Sequence, residues 1–263
     1  MRRFYLPPHE CQSDLLTLTG GEARHAAEVL RLRPGEDAAI LDGEGREFLC
    51  RVEKVERKRI QLKILQTDVS LAPASRITLA QAVPKGKILE SIIQKATELG
   101  VWRIIPLLSE RVTTHLEGES VERKAEKWRQ TAVEAIKQCG QRWLPKVEPP
   151  IPLPALLASA ETYDLALVGS LQAGARHPRE YFLGFEREHR HRPASIIAWI
   201  GPEGDFSPGE LAAIEKSGAH PMTLGSLILR SETAALYTLS IINYELNWNH
   251  ADGRPREEDA EVE

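Results

Sequence analysis

From residue 76 onward the chain alternates short apolar runs with amphipathic stretches, and this alternation restricts the fold more than any other feature. ITLAQAV (77–83), VWRIIPLL (101–108), DLALVGS (164–170), SIIAWI (195–200) and PMTLGS (221–226) are short and apolar, as strands buried on both faces must be. Between and after them come KILESIIQKATELG (87–100), closed by Gly100, and SVERKAEKWRQTAVEAIKQCG (120–140), capped by Ser120 and ended by Gly140. A long apolar helix follows over about 232–247. This order predicts an α/β fold with a largely parallel sheet covered by helices. The stretch AGARHPREYFLGFEREHRHRP (173–193) is charged and reads as an irregular, exposed excursion, its HRHR segment (189–192) as surface.

The first 70 residues obey a different rule. FYL (4–6), AAIL (38–41), EFLCRVEKV (47–55) and RIQLKIL (59–65) predict strands, with DGEG (42–45) as a turn. One helix is expected over 22–33, with Ala23, Ala26, Val29 and Leu30 on its apolar face and Pro34-Gly35 as its stop. VSLAPAS (69–75) has lost all periodicity and reads as a linker. The expected organisation is therefore a β-rich domain at 1–70, an α/β domain at 76–250 and an acidic, disordered tail at 251–263. That tail takes six of the 38 acidic and two of the 34 basic residues, which leaves 32 of each and a neutral body. Total charge therefore neither requires nor excludes a nucleic-acid partner.

Three widely spaced cysteines, Cys11, Cys50 and Cys139, lack metal-ligand spacing and fit a reduced cytoplasmic setting with no metal. No apolar run approaches a membrane span, and MRRFYLPPHE has no apolar core of a signal peptide.

The stretch GPEGDFSPGE (201–210) directly follows SIIAWI. Ser207 as N-cap, Pro208 as first helical residue and Glu210 completing a capping box make it a strand–loop–helix junction. In open α/β sheets ligands bind at such carboxyl ends. It is not G-x-G-x-x-G, and no phosphate loop, H-E-x-x-H or G-x-S-x-G occurs in the chain. GSLQ (169–172), GPEGDF (201–206) and GSLILRSET (225–233) all combine glycine with small or apolar residues and offer few cations. Backbone groups and an apolar slot suit a flat adenine and a sulfonium better than a triphosphate.

GPEGDF with Ser207 and Glu210 resembles the G-P-E-G-G-F-S-x-x-E motif of the RsmE-type ribosomal RNA methyltransferases. LGSLILRSETAA (224–235) resembles that family's L-G-x-R-I-L-R-x-E-T-A, and KATELGVWRIIPLLSER (95–111) and EAIKQCG (134–140) followed by Pro145 agree with it. At the N-terminus, RRFYL (2–6) and HAAEVLRLRPGE (25–36) match the family's opening domain. The resemblance implies a SPOUT-type sheet with a C-terminal trefoil knot, preceded by a PUA-like β-barrel that helps hold RNA. It further implies a homodimer that binds S-adenosyl-L-methionine and methylates N3 of one uridine in small-subunit (16S) ribosomal RNA, free or in the assembled subunit.

By the same resemblance the cofactor slot comprises Leu167, Val168, Gly169, Ser170, Ile200, Gly201, Pro202, Glu203, Gly204, Leu224, Gly225, Ile228, Leu229 and Thr233. Arg230 is the candidate that steadies negative charge developing on the uracil or holds a phosphate. Glu232 either orients Arg230, accepts the N3 proton or serves the helix dipole. Glu203 either bonds the cofactor or ties down its loop, and Thr233 could simply cap the helix. Arg2, Arg3, Arg31 and Arg33 are candidate RNA phosphate contacts, with a solvated face as the alternative. Four positions depart from the family pattern: Asp205 stands for a glycine, Leu227 for an arginine, Gln141 for an arginine and Val112 for a serine. A related knotted methyltransferase with another target and a non-catalytic RNA-binding assembly factor stay open as alternatives.

Overall fold

The computed structural model describes residues 1–112, 119–172 and 174–247. The acidic tail at 251–263 and the capping side chain of Ser120 lie outside the described residues. The chain falls into two compact units, Met1–Pro73 with Arg129–Pro145 and Ala74–Trp128 with Lys146–Glu263. Residues 129–145, expected within 76–250, thus cluster with the first unit.

The first unit contains β1 (Arg2–Tyr5), β2 (Leu15–Thr19), α1 (Gly20–Arg24), β3 (Asp37–Leu41), β4 (Arg46–Glu56) and β5 (Arg59–Val69). They form one sheet in the order β1-β3-β4-β5-β2, parallel only between β1 and β3, with β1 and β2 as its edges. Phe4, Leu16, Leu18, Ile40, Phe48, Ile60 and Leu62 are packed in its core. β2 is an addition to the strands expected: the alternation in LLTLT buries Leu16 and Leu18 and exposes Leu15 and Thr19, as an edge strand over a core should. The turn at 42–45 is held by Asp42, whose Oδ1 accepts from the backbone of Glu44 and Arg46 at 2.8 and 2.9 Å. Leu144 N donates to Gly43 O at 2.9 Å, which ties the 129–145 segment to the same turn.

The helix expected at 22–33 is shorter and differently wound. α1 runs on into a π-helical turn at His25–Val29, in which Leu30 N bonds to His25 O. Arg31 then adopts a left-handed φ of 50°, and Leu32 N reaches back to Ala26 O. This reversal buries Leu32 in the core, which a continued helix would not have done.

The second unit contains β6 (Arg76–Ala82), α2 (Ile88–Glu98), β7 (Arg103–Leu108) and the start of α3 (Glu119–Cys139). After the return from the first unit come β8 (Lys146–Val147), β9 (Ile151–Pro152), α4 (Leu153–Ala158), β10 (Leu165–Gly169) and α5 (Pro178–His189). β11 (Ser195–Ile200), α6 (Pro208–Lys216), β12 (His220–Met222) and α7 (Ser231–Asn247) complete it. The strands form a parallel sheet in the order β12-β10-β11-β6-β7-β8, with β9 also paired to β7. Ile197 and Trp199 of β11 pack with Leu153 and Leu156 of α4 and Leu211 and Ile214 of α6. Ile196 and Ala198, on the alternate face, are also fully buried. α7 packs on α2, β6 and β11, with Ala235, Leu239 and Ile242 buried.

The expected irregular excursion at 173–193 is instead built around α5. His177 caps it by accepting from Arg179 N, Pro178 opens it, and Arg190 ends it with a φ of 62°. Phe182 is buried beneath it. The charges that suggested an irregular loop occupy its solvent side.

The junction at 207–210 forms the expected capping box: Glu210 N donates to Ser207 Oγ at 3.2 Å, and Ser207 N to Glu210 Oε2 at 2.9 Å. Glu210 Oε1 also accepts from Glu110 N at 2.8 Å, so one buried carboxylate fixes two segments. Glu210→Ala should lower unfolding free energy by about 2 kcal/mol in urea titrations; a loss below about 0.5 kcal/mol would show that these bonds contribute little. Burial pushes the Cys11 and Cys50 thiols up to about 11 and about 12, whereas Cys139 is exposed. Ellman's reagent at neutral pH should therefore titrate one thiol rapidly in the native protein and all three after denaturation; three fast native thiols would contradict the packing.

Candidate functional site

Three loops leave the same end of the parallel sheet. They follow β10, β11 and β12, which are neighbours in the order β12-β10-β11. Together they enclose a cleft of about 600 Å³, counted out to its open mouth. Its walls come from Gly169 to Leu171, from Ile200 to Glu203 with Asp205, from Leu224, Gly225 and Leu227 to Leu229, and from Ser231 with Ala234 just inside α7. The three loops singled out by composition therefore converge on one place.

The lining chemistry is uneven. Ile200, Leu224, Leu227, Ile228 and Leu229 supply apolar surface, the glycines supply backbone, and Glu203 and Asp205 supply the charged groups. Among these lining residues there is no lysine, arginine or histidine. A polyanion finds no counter-charge there. An apolar, flat ligand with a positive charge finds both a slot and carboxylates of the right sign. Leu227 and Ile228, 74% and 82% exposed, form an apolar lip at the mouth that a bound ligand would cover.

The loop after β11 is shaped by close approach. A Cβ on Gly201 would lie 2.8 Å from Asp205 Oδ1 and 3.1 Å from Phe206 N, so no larger residue fits without moving the loop. Asp205 adopts a φ of 60° and its Oδ1 accepts from Phe206 N at 2.8 Å. The departure from glycine is thus absorbed by an aspartate in the left-handed region, which that side chain tolerates through a local hydrogen bond. Gly225, at φ 106°, allows the turn that brings Leu224 and Ile228 to the same cleft.

The loop is also held from outside. Glu203 Oε1 accepts from Lys85 N at 3.0 Å, and Arg111 Nη1 donates to Gly204 O. Ser231 Oγ donates to Gly201 O at 2.7 Å and accepts from the buried Gln81 Nε2 at 2.9 Å. Glu203 therefore ties its loop to the segment that follows β6 while also facing the cleft.

Of the residues assigned to the slot, Gly169, Ser170, Ile200, Gly201, Pro202, Glu203, Leu224, Gly225, Ile228 and Leu229 line the cleft. Leu167 and Val168 are fully buried in β10 and support it from below. Gly204 stands behind the loop against Arg111, and Thr233 faces solvent on α7 outside the lining. Arg230 is exposed at the start of α7, where its carbonyl accepts from Ala234 N; Glu232 is half-buried in the first turn. Among the described residues neither side chain forms an ion pair. The cleft further includes Leu171, Asp205, Leu227, Ser231 and Ala234. Leu171, Ser231 and Ala234 belong to the stretches already read as loop or motif, but only the fold tells which of their side chains face inward.

In the first unit the four candidate arginines differ. Arg2 pairs with Glu36 at 2.8 Å, and Arg33 N bonds the same carboxylate at 3.0 Å. Arg3 lies 3.5 Å from Glu47 and packs its guanidinium against Gly140. The side chains of Arg31 and Arg33 are exposed without an ion pair among the described residues. Arg142, next to Gln141, is taken up by Glu47 at 2.8 Å and Asp68 at 3.7 Å.

Comparison with known proteins agrees with this geometry. Residues 71–243 match the model of an RNA methyltransferase domain, and residues 18–65 that of an RNA methyltransferase PUA domain. Ribosomal RNA small subunit methyltransferase E of Synechocystis is 31% identical over 92% of this chain and 77% of its own length. That of Bacillus subtilis is 27% identical over 93% and 97%. The structure of a ribosomal RNA small subunit methyltransferase E from Neisseria gonorrhoeae bound to S-adenosyl methionine superposes with a TM-score of 0.79 at 30% identity, covering 92% of this chain and 96% of that one. A methyltransferase from Legionella pneumophila in complex with bound SAM gives 0.83 at 31% identity, with the same coverage. The chain belongs to the RNA methyltransferase family whose methyltransferase and PUA domains it carries in sequence.

Proposed function

We propose that this protein transfers a methyl group from S-adenosyl-L-methionine to N3 of a uridine in small-subunit ribosomal RNA. The observation that carries the proposal is the cleft: three loops of the methyltransferase domain present apolar side chains, backbone and two carboxylates, with no cation among the lining residues. That donor set fits the cofactor, since adenine is flat and apolar and the sulfonium is positive. Gly169, Ser170, the 200–203 loop, Leu224, Gly225, Ile228 and Leu229 would hold the cofactor. When bound, the cofactor supplies an electrophilic methyl carbon.

The chain's own residues have two tasks, to place uracil N3 in line with that carbon and to manage the imide proton. Arg230 is exposed one residue before the α7 helix and free to meet an anion. It would steady the charge developing on the uracil oxygens or grip a neighbouring phosphate. Glu232, two residues on in the first turn of α7, would orient Arg230 or take the N3 proton.

The β-rich unit would hold RNA, with Arg31 and Arg33 the better placed for phosphates because Arg2 and Arg3 already face carboxylates. Domain limits of 1–70 and 76–250 go with this reading, adjusted by the 129–145 segment that clusters with the first unit. A trefoil knot is supported by the chain path: β12 pairs at the sheet edge, yet the next segment returns so that Ser231 bonds Gln81 of the central strand β6. A homodimer is supported by α7, which exposes Tyr237 and Tyr244 on the side away from its buried residues. A cytoplasmic setting suits a ribosomal RNA substrate. No helix among the described residues is long and apolar enough to cross a membrane, and no group of three or more potential ligands there could hold a metal ion.

With methyl-labelled cofactor, the protein should label the RNA of small subunits that lack the modification. Arg230→Ala should reduce that transfer by about 100-fold or more while cofactor affinity, measured by calorimetry, stays within about twofold. Lost cofactor binding in that variant would place Arg230 in the slot instead. Gly201→Ala, which sets a methyl group against Asp205 and Phe206, should weaken cofactor binding by about 10-fold or more; unchanged affinity would remove the 201–205 loop from the site.

A further inference from the structure

The one amide side chain in β6 is Gln81, and it is fully buried. It sits beside Ile200 of β11 in the parallel ladder, directly beneath the loop that opens at Gly201. Its Nε2 donates to Ala82 O and to Ser231 Oγ, both at 2.9 Å, and Ser231 passes the contact on to Gly201 O at 2.7 Å. A continuous relay thus joins the central strand, the first residue of α7 and the first residue of the loop after β11. Gly201 and Ser231 stand on different walls of the cleft, and Ser231 directly follows Arg230. Gln81 Oε1, by contrast, is buried with no hydrogen-bond partner.

A buried amide with an orphaned carbonyl is a poor way to fill a core, since an apolar side chain of the same length would leave nothing unsatisfied. Its geometric consequence is specific: both walls are referenced to one rigid strand. We infer that Gln81 is a positioning residue for methyl transfer, setting the spacing between the Gly201 and Ser231 walls and, through Ser231, the aim of Arg230. This rests on the reading of the cleft as the cofactor site. Gln81 is not among the residues that line the cleft; it acts through Ser231.

The test uses the full-length protein, calorimetric titration with S-adenosylmethionine and steady-state methylation of small subunits. Gln81→Met keeps length and removes the relay. It should leave the melting temperature unchanged or raised, weaken cofactor binding by about 3- to 10-fold and lower kcat by about 10-fold or more. Ser231→Ala, which keeps Gln81 and cuts the same relay, should give the same pattern and serves if Gln81→Met fails to fold. The double variant should be no worse than the weaker single by more than about twofold, because both remove one linked contact. Cofactor affinity and kcat within about twofold of wild type, whether or not the melting temperature falls, would overturn the inference and make Gln81 merely structural. Additive losses in the double variant would overturn it as well. A wild-type protein that does not bind S-adenosylmethionine would overturn the cofactor reading and this role together, whereas wild-type binding with insensitive variants removes only Gln81.

Discussion

Parallel pairing of β10 with both β11 and β12 is the constraint on which the site depends. Leu167 stands opposite Ala198 on one side and His220 on the other, so three chain segments distant in sequence run in one direction in one register. Their carboxyl ends then lie together, and the glycine-containing loops that follow have a common place to meet. A slip of one residue would exchange the two faces of β10 and displace its loop by about 3.3 Å from its neighbours. The apolar runs therefore do more than fill a core. They set the positions from which the cleft is built.

Within that frame, polar bonds fix the loops from outside and leave the inside largely apolar. Lys85 N on Glu203, Arg111 on Gly204 O and Ser231 on Gly201 O all satisfy groups of one short loop. Glu210 secures the helix after it and, through Glu110 N, the end of the neighbouring segment. A loop held in this way is preorganised, so binding need not order it first. The same logic accounts for Asp205. Its left-handed backbone would be strained for most side chains, yet its own carboxylate accepts from Phe206 N and adds negative charge where a cationic ligand would lie.

Much of this was legible in the sequence, for identifiable physical reasons. Four of the five apolar runs after residue 76 are strands because burial on both faces leaves a clear composition, while the fifth, expected at 221–226, is cut to the short β12 at His220–Met222. The capping box at Ser207 and Glu210 formed as read, because its chemistry is local. What was hidden was non-local. Leu32 turns back into the core through a π turn and a left-handed Arg31, which no periodicity announces. α5 hid behind its charges, its apolar contact reduced largely to Phe182. The edge strand β2 is short, and the residues at 129–145 could be assigned to the first unit only from their contacts. In the site, the motif carried most of the lining residues, but it also carried Leu167, Val168, Gly204 and Thr233, which lie beneath, behind or beside the cleft. Gln81 offered a signal in ITLAQAV, a lone amide in an apolar strand, whose meaning depends on a partner 150 residues away.

The central claim is that this cleft serves N3 methylation of a uridine, and nucleoside mass spectrometry tests it most directly. Small ribosomal subunits lacking the modification would be incubated with the purified protein and S-adenosylmethionine, and their RNA digested to nucleosides. New 3-methyluridine, close to one per subunit, is the expected product. A different methylated nucleoside, or no product from a protein that binds the cofactor and from intact subunits, would contradict the claim.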